Sequence, residues 1–432
     1  MYIKRHLEAQ ILEASRYYPV VMVCGQRQAG KSTMLNQLRE SGRRYVTLDD
    51  MNARRLAEQD LGLFFETYGS PLLIDEFQRV PSLLLEMKRI VDQAALDGED
   101  ANGRYWLTGS QKFSMMRMEA PPREARRQID PPMQNRCAMG GSISESLAGR
   151  VAVFDLSSLS VAEVEERPAQ LFHPSLDSLR ERMKDSKLKN VHQIFGLIFR
   201  GGMPKLIATD MDRERYYMDY VNTYLERDIK DLAQVGSLST FYDFLVFIAA
   251  RTSGELRYDE IANAIGVSAP TAKSWVSILE RSGVVYILRP YYSNVTSRLV
   301  KTPKIYFMDT GLAAYLCRWP NAETLEHGAM DGAFFETWVV SEIVKSYYNA
   351  GKRPDLYYYR DTDKKELDLL IVEGDKLYPI EIKKNKTPAH PDKNFGVLDK
   401  FHLDVQPGIV LCMCDEILPY NRNTWLVPVS VL

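Results

Sequence analysis

Short apolar runs alternate with helical stretches over the first 160 residues of the chain. The runs that predict strands are Val20–Cys24, Tyr45–Leu48, Leu72–Ile74, Tyr105–Thr108 and Val151–Leu156. This alternation is typical of a parallel sheet whose crossover helices cover both faces. The sequence therefore predicts an α/β domain over residues 1–160.

One stretch of this domain departs from the alternation. Residues 115–142 are rich in Arg, Pro, Met and Gly and show no clean periodicity. Such a composition is typical of a flexible surface insertion, and a lid over a site is the alternative.

Beyond residue 160 the pattern becomes helical and then mixed. Residues 161–236 predict a helical region, in which Arg215–Leu232 is the most amphipathic segment. Residues 301–432 combine a helix at Ala333–Tyr348 with several apolar runs. The strands that these runs predict are Leu356–Tyr359, Glu366–Val372, Lys376–Ile382 and Gly408–Met413.

Residues 237–300 predict a winged helix. A short helix at Tyr258–Ile265 is followed by a turn at Gly266, and Ser268 caps a second helix over Ala269–Ser282. The apolar run VVYIL comes next and suits the first strand of a wing.

Composition limits the classes of function. The 432 residues carry a formal net charge of -2, so contact with nucleic acid requires a local basic patch. No apolar run is long enough to span a bilayer, and the first ten residues lack a signal-peptide core, so we expect no membrane association. Five scattered cysteines without C-x-x-C pairs disfavour disulfides and zinc and favour a cytoplasmic location.

A phosphate-binding motif follows the first predicted strand. It satisfies G-x-x-x-x-G-K-[ST] over Gly25, Gln26, Arg27, Gln28, Ala29, Gly30, Lys31 and Ser32, and the helix that follows begins Ser32-Thr33-Met34-Leu35. Together with Thr33, these residues are the candidate nucleotide-binding set. Glycines let backbone N–H groups approach phosphate oxygens, and the following helix turns its positive end toward them. We expect Lys31 to reach the β- and γ-phosphates and Ser32 to ligate Mg²⁺.

Two adjacent acids end the third predicted strand. Asp75 and Glu76 follow the buried run PLLI, so both emerge at the carboxyl edge of the sheet, where open parallel sheets bind ligands. We expect Asp75 to hold the magnesium shell and Glu76 to polarise the attacking water. At the end of the next strand, Ser110 is the choice for contact with the γ-phosphate or that water, with Thr108 and Gln111 behind it. A simple strand-end turn is the alternative for these three.

With these motifs the chain resembles a widespread prokaryotic group of AAA+ ATPases that pair an N-terminal ATPase module with a C-terminal domain of unknown function. The resemblance covers nearly the whole chain and rests on CGQRQAGKST, LLIDEFQRVP, LTGSQKF, SESLAGR, RGGMP, YLERDI, FFETWVVSEI and ELDLLIV. It implies the AAA+ sheet order and ATP rather than GTP. Since AAA+ relatives often form rings, it also raises the prospect of a homo-oligomer.

The resemblance gives Arg150, in SLAGR, a role as well. It implies that this guanidinium approaches a nucleotide, either as a sensor or as a finger toward a neighbouring subunit. The alternative is a surface or helix-end arginine. The long segment between Gln111 and Ile143 departs from the group's usual short link and leaves the reach of Arg150 open.

The motifs ELD and EIK near the end of the chain resemble the core of PD-(D/E)xK nucleases. This resemblance implies a restriction-endonuclease-like α/β domain over residues 301–432. Alternate residues of a strand face the same side, so Glu381 and Lys383 project together. Asp368 and Glu381 would hold Mg²⁺, Lys383 would stabilise the scissile phosphate, and Glu336 would complete the set. A nuclease-like fold without cleavage is the alternative.

The second helix of the predicted winged helix offers few basic groups for DNA. Thr271, Lys273 and Ser274 lie near its start and Arg281 near its end, a thin footprint for a groove-reading helix. A packing module is the alternative. The motifs together predict a Mg²⁺-dependent ATPase whose nucleotide state moves DNA- or protein-binding C-terminal modules. A nucleotide-gated protein-binding regulator with little turnover and an ATP-regulated, metal-dependent nuclease are the other hypotheses.

Overall fold

The computed structural model describes residues 2–110, 147, 149–224, 238–292, 302–361, 363 and 365–432. The insertion predicted over residues 115–142 lies outside this set, as does the end of Arg215–Leu232. The described residues form two compact units. The N-terminal unit is Leu7–Leu156, and the C-terminal unit combines residues 2–6 with Ser157–Leu432.

The N-terminal unit is built on a five-stranded parallel sheet. Its strands are β1 Val20–Gly25, β2 Arg44–Thr47, β3 Leu72–Asp75, β4 Tyr105–Gly109 and β5 Val151–Leu156. They pair in the order β2-β3-β4-β1-β5. The helices of this unit are α1 Glu8–Ala14, α2 Lys31–Leu38, α3 Met51–Gln59, α4 Leu61–Tyr68 and α5 Leu83–Leu96. The predicted α/β sheet is confirmed, with every strand boundary within one residue.

Apolar side chains cover both faces of this sheet. In β1, Val20, Met22 and Cys24 pack into one core, while Val21 and Val23 pack into the other. Strands buried on both faces have continuous apolar sequences, as β1 does. Because all five strands are parallel, the carboxyl ends of β1, β3 and β4 meet at one edge. That edge carries the phosphate-binding motif and the two adjacent acids.

The C-terminal unit contains helices followed by a mixed sheet. Its helices are α6 Val161–Val164, α7 Leu176–Asp185, α8 Val191–Arg200, α9 Pro204–Ala208, α10 Arg213–Tyr224, α11 Leu238–Ala249, α12 Tyr258–Ile265, α13 Ala269–Arg281, α14 Thr310–Leu316, α15 Ala322–Glu326 and α16 Asp331–Asn349. Its strands are β6 Val285–Pro290, β7 Lys304–Phe307, β8 Leu356–Arg360, β9 Glu366–Glu373, β10 Lys376–Ile382, β11 Asp404–Val405, β12 Gly408–Cys412, β13 Leu418–Asn421 and β14 Thr424–Pro428. They pair in the order β13-β14-β12-β10-β9-β8-β6-β7, with β11 on β10. Within the described part of the chain, no helix has both the length and the apolar character needed to cross a bilayer.

The two helices predicted on either side of Gly266 are confirmed, while the winged helix over residues 237–300 stays a prediction. Helix α12 ends at Gly266, whose φ of 72° is left-handed, and the Ser268 side chain accepts a hydrogen bond from the Thr271 N–H to cap α13. Strand β6 follows α13 and pairs antiparallel with β7.

Residues 2–6 pack within the C-terminal unit. Arg5 Nε donates to Glu163 Oε1 at 2.9 Å, and Arg5 Nη2 donates to the Ser157 carbonyl at 2.9 Å. Burial acts to raise the pKa of Glu163, but the Arg5 guanidinium and its hydrogen bond outweigh burial and lower that pKa to about 2. The chain therefore passes between the two units twice, after His6 and after Leu156.

Candidate functional site

The loop after β1 has a backbone that only glycine can adopt at its ends. Gly25 has a φ of 135° and Gly30 a φ of 92°. A Cβ on Gly25 would lie 2.0 Å from the carbonyl oxygen of Leu156, the last residue of β5. Gly30 directly precedes α2, so the N-terminus of that helix opens onto the loop. The predicted phosphate-binding loop therefore has the backbone that close approach of an anion requires.

Lys31 is held under this loop. Its Nζ donates to the carbonyl oxygens of Gly25 at 2.9 Å and Gln26 at 2.8 Å, and the side chain is almost fully buried. Burial lowers the pKa of Lys31, while nearby negative groups, led by Glu76, oppose that shift. An ammonium carries three N–H donors, so a third can serve a phosphate oxygen.

Three hydroxyl groups converge on the carboxylate of Asp75. Ser32 Oγ donates to Oδ1 at 2.6 Å, Tyr45 OH donates to Oδ2 at 3.0 Å, and Thr108 Oγ1 also donates to Oδ1. Burial, reinforced by the charge of Asp75, raises the pKa of Tyr45 to about 12. A serine hydroxyl beside a carboxylate is a pair of hard oxygen ligands, so these residues fit Mg²⁺. The sequence analysis missed Tyr45, because an exposed strand tyrosine carries no signal of such a contact.

Glu76 begins a tight turn directly after β3, and hydrogen bonds join this turn to the end of β4. Its φ of 58° is left-handed, and its N–H donates to Thr108 Oγ1 at 3.1 Å. Two residues later, Gln78 Nε2 donates to the Glu76 carboxylate and to Ser110 Oγ, the latter at 3.1 Å. The structure thus brings Lys31, Ser32, Asp75, Glu76 and Ser110 to one edge of the sheet. Gln78 joins them and was not predicted.

Arg150 lies at the opposite edge. Its carbonyl accepts from the N–H of Val20, the first residue of β1, and its Nε donates to Asp92 at 2.6 Å. About 17 Å of strand separates Val20 from Gly25, at 3.3 Å per residue. We therefore correct the interpretation of Arg150 as a sensor within its own chain. A role as a finger toward a neighbouring subunit stays a prediction.

Comparison with known proteins agrees with this geometry. Residues 17–131 match the family model described as an AAA domain. This stretch, which begins in the N-terminal unit, is thus similar to AAA domains. Two further models, both described as domains of unknown function, match residues 191–323 (DUF8612) and 331–432 (DUF4143).

Two curated proteins are similar to most of this chain. Uncharacterised proteins of Mycobacterium tuberculosis and Mycobacterium bovis are each 28% identical over 392 residues, which cover 89% of this chain and 75% of the relative. Among solved structures, the Walker-type ATPase of Pyrococcus abyssi has a TM-score of 0.41 at 14% identity, covering 73% of this chain and 96% of that one. RuvB of Thermotoga maritima has a TM-score of 0.27 at 14% identity, covering 65% and 88%.

Three of the four candidate residues in the C-terminal unit lie together. Lys383 Nζ is 2.6 Å from Glu381 Oε1 and 3.4 Å from Asp368 Oδ2. Glu381 is buried, and its Oε2 has no hydrogen-bond partner. Burial, followed by the charge of Asp368, raises the pKa of Glu381 to about 7. A buried carboxylate oxygen without a partner is costly, so it fits a cation ligand.

Glu336 has different partners. Its Oε1 accepts from Tyr306 OH at 2.7 Å and from Lys304 Nζ at 3.1 Å, and Lys304 Nζ is also 2.6 Å from Glu366 Oε1. Lys304 thus supplies a cation beside Glu336, and the role of Glu336 at a metal site stays a prediction. No group of three or more His, Cys, Asp or Glu side chains is arranged for a metal among the residues that the structure describes.

The outer face of α13 is sparsely charged. Lys273 and Ser274 are exposed, whereas Thr271 and Arg281 are half-buried. One exposed cation on this helix gives little electrostatic attraction for phosphates.

Proposed function

We propose that the protein is a Mg²⁺-dependent ATPase whose nucleotide state moves its C-terminal unit. The observation that carries this proposal is the 2.6 Å contact between Ser32 Oγ and Asp75 Oδ1. It joins the phosphate-binding loop to the acids at the end of β3, and a nucleotide site needs both. The match to an AAA domain supports the same conclusion.

Each residue at this edge has a part in ATP hydrolysis. Backbone N–H groups between Gly25 and Gly30 surround the phosphates, and Lys31 binds the β- and γ-phosphate oxygens. Ser32 and Asp75 would hold Mg²⁺, which when bound neutralises charge that develops on the phosphates. Glu76 accepts a proton from the water that attacks the γ-phosphorus. Because phosphoryl transfer leaves little covalent chemistry for the protein to perform, such groups act mainly by position and charge.

A packing contact supports coupling to the C-terminal unit. The Leu156 carbonyl lies against Gly25, and the chain crosses to the C-terminal unit directly after Leu156. Closure of the loop on ATP therefore acts on the residue at the crossing. We propose that this motion reorients a winged helix, residues 237–300, and a nuclease-like domain, residues 301–432, which bind DNA or a protein partner.

Phosphate release from ATP tests the proposal. We expect turnover by the wild-type protein in Mg²⁺ and its loss when EDTA removes the metal, since Ser32 and Asp75 then have no cation to hold. Absence of turnover in Mg²⁺ with bound ATP would favour the nucleotide-gated regulator instead. Addition of duplex DNA distinguishes the two candidate partners of the C-terminal unit. A DNA-stimulated turnover rate favours a DNA partner, and an unchanged rate favours a protein partner.

A second candidate function is metal-dependent DNA cleavage. The unpartnered, buried Oε2 of Glu381 beside Asp368 and Lys383 favours it. The carboxylates would hold the cation, and the Lys383 ammonium would stabilise charge on the scissile phosphate. The ion pair of Glu336 with Lys304 weighs against a complete metal site.

Plasmid nicking tests this second candidate. If the acids cleave DNA, Asp368→Ala should reduce Mn²⁺-dependent nicking by about 100-fold, because one of two metal ligands is lost. Asp375→Ala, on the exposed turn between β9 and β10, is the matched control. Equal nicking by wild type and Asp368→Ala would exclude this site as its source.

A further inference from the structure

The side chain of Gln78 connects two groups that the proposed hydrolysis needs. Its Nε2 donates one N–H to the Glu76 carboxylate at Oε2 and the other to Ser110 Oγ at 3.1 Å. We propose that Gln78 is a positioning residue that directs the Ser110 hydroxyl proton and orients the Glu76 carboxylate. This inference rests on the proposed ATPase function.

The chemistry of a carboxamide nitrogen gives this contact its direction. An NH₂ group only donates, so Ser110 Oγ must accept from it. The hydroxyl proton of Ser110 is then directed to another acceptor, such as a γ-phosphate oxygen. In the same way, a donor fixed on Oε2 of Glu76 leaves Oε1 to accept from water. A single side chain therefore makes Ser110 a donor and decides which oxygen of Glu76 stays open to water.

The surroundings of Gln78 keep the amide in this orientation. The reversed amide would set its carbonyl oxygen against the Glu76 carboxylate, where the two negative groups repel. In the observed orientation, Gln78 Oε1 is buried and has no hydrogen-bond partner. A buried acceptor without a partner weakens a fold, and groups of this kind concentrate where function requires them.

Gly109, the last residue of β4, makes room for this arrangement. A Cβ at Gly109 would lie 2.9 Å from Phe77 Cε1 and 3.1 Å from Gln78 Oε1. Any larger residue would push the turn after Glu76 away from the end of β4. The close approach of the two strand ends thus depends on a glycine beside the amide.

The step served by Gln78 can be written with its protons. A water oxygen forms a bond to the γ-phosphorus, and its proton passes to Oε1 of Glu76. The bond from the γ-phosphorus to the bridging oxygen breaks, and ADP leaves with that electron pair. Gln78 exchanges no proton. It holds the acceptor of the proton and the donor to the phosphate in a fixed relation, and a misplacement of about 1 Å can cost about 100-fold in rate.

Steady-state kinetics of Gln78→Met test the proposal, because methionine keeps the volume without the amide. We expect kcat for ATP to fall by about 10- to 100-fold while KM and the Kd of a non-hydrolysable ATP analogue stay within about twofold. Gln78→Glu should lower kcat further, since a carboxylate cannot donate and repels Glu76. Arg79→Ala is the control for the turn itself, because the Arg79 side chain pairs with Asp49 at 3.3 Å, while its backbone N–H, which donates to the Glu76 carbonyl, is kept in the variant.

Three outcomes overturn the inference. One is a kcat of Gln78→Met and Gln78→Glu within twofold of wild type. Another is an equal loss in Arg79→Ala, which assigns the effect to the turn. The third is a rise in the analogue Kd that matches the fall in kcat. Absence of turnover in the wild type is a separate result, since it removes the ATPase proposal and this inference with it.

Discussion

Lys31→Ala is expected to weaken ATP binding at least about 100-fold while leaving the nucleotide-free protein folded. The ammonium is the buried cation of the loop, and charge-assisted hydrogen bonds to two phosphates are each worth about 1.5–3 kcal/mol. Without a ligand the same group lowers the stability of the fold, because burial lowers the pKa of Lys31 and so disfavours its charge. Calorimetric titration with ATP and thermal unfolding without ATP measure the two effects.

A matched lysine makes this result specific. Lys88→Ala removes a half-buried lysine from α5 and should bind ATP as the wild type does. If Lys31→Ala binds ATP normally, the loop after β1 is not the nucleotide site. If Lys31→Ala fails to fold without ATP, the buried ammonium stabilises the nucleotide-free fold in spite of the cost of its desolvation.

Glu76→Gln is expected to retain ATP and to hydrolyse it at least about 100-fold more slowly. Glutamine has the same shape as glutamate, so Asp75, Ser32 and the loop are undisturbed, but a neutral amide accepts no proton from water. General-base catalysis contributes about 10²–10⁴ in rate. Binding of ATP should change by less than about threefold, so the variant accumulates the ATP complex, which single-turnover assays detect.

Glu66→Gln is the control for this change, because Glu66 is an exposed acid on α4. Its turnover should equal that of the wild type. Loss of ATP affinity in Glu76→Gln, or turnover at the wild-type rate, would contradict the role of Glu76 as the acceptor of the proton.

Local sequence signals predicted the elements of this protein well. The strands of the parallel sheet and the helices at Tyr258–Ile265 and Ala269–Arg281 depend on apolar periodicity, a turn glycine and a capping serine, all within a few residues. The phosphate-binding loop and Asp75 and Glu76 are likewise short motifs. Their meeting at one edge follows from the parallel order of the strands, so this part of the site could be predicted.

Partners that are distant in sequence could not be found in this way. Lys304 precedes Glu336 by 32 residues, and no spacing rule connects a strand lysine with a helix glutamate. Tyr45 reaches Asp75 from a neighbouring strand, and the pairing register decides which side chain does so. Arg150 is different, because its position was inferable. It precedes β5, and a parallel strand begins at the edge opposite the loop.

The burial of Arg5 against Glu163 sets an order of events during synthesis. The two residues are 158 positions apart, so at roughly 5–20 residues per second Arg5 is incorporated about 8–30 s before its partner. In that interval the whole segment from Leu7 to Leu156 is synthesised, while Arg5 has no Glu163 to pair with. The N-terminal unit is thus inserted between His6 and Ser157 of the C-terminal unit, and deletion of residues 2–6 should destabilise mainly the C-terminal unit, which is completed last.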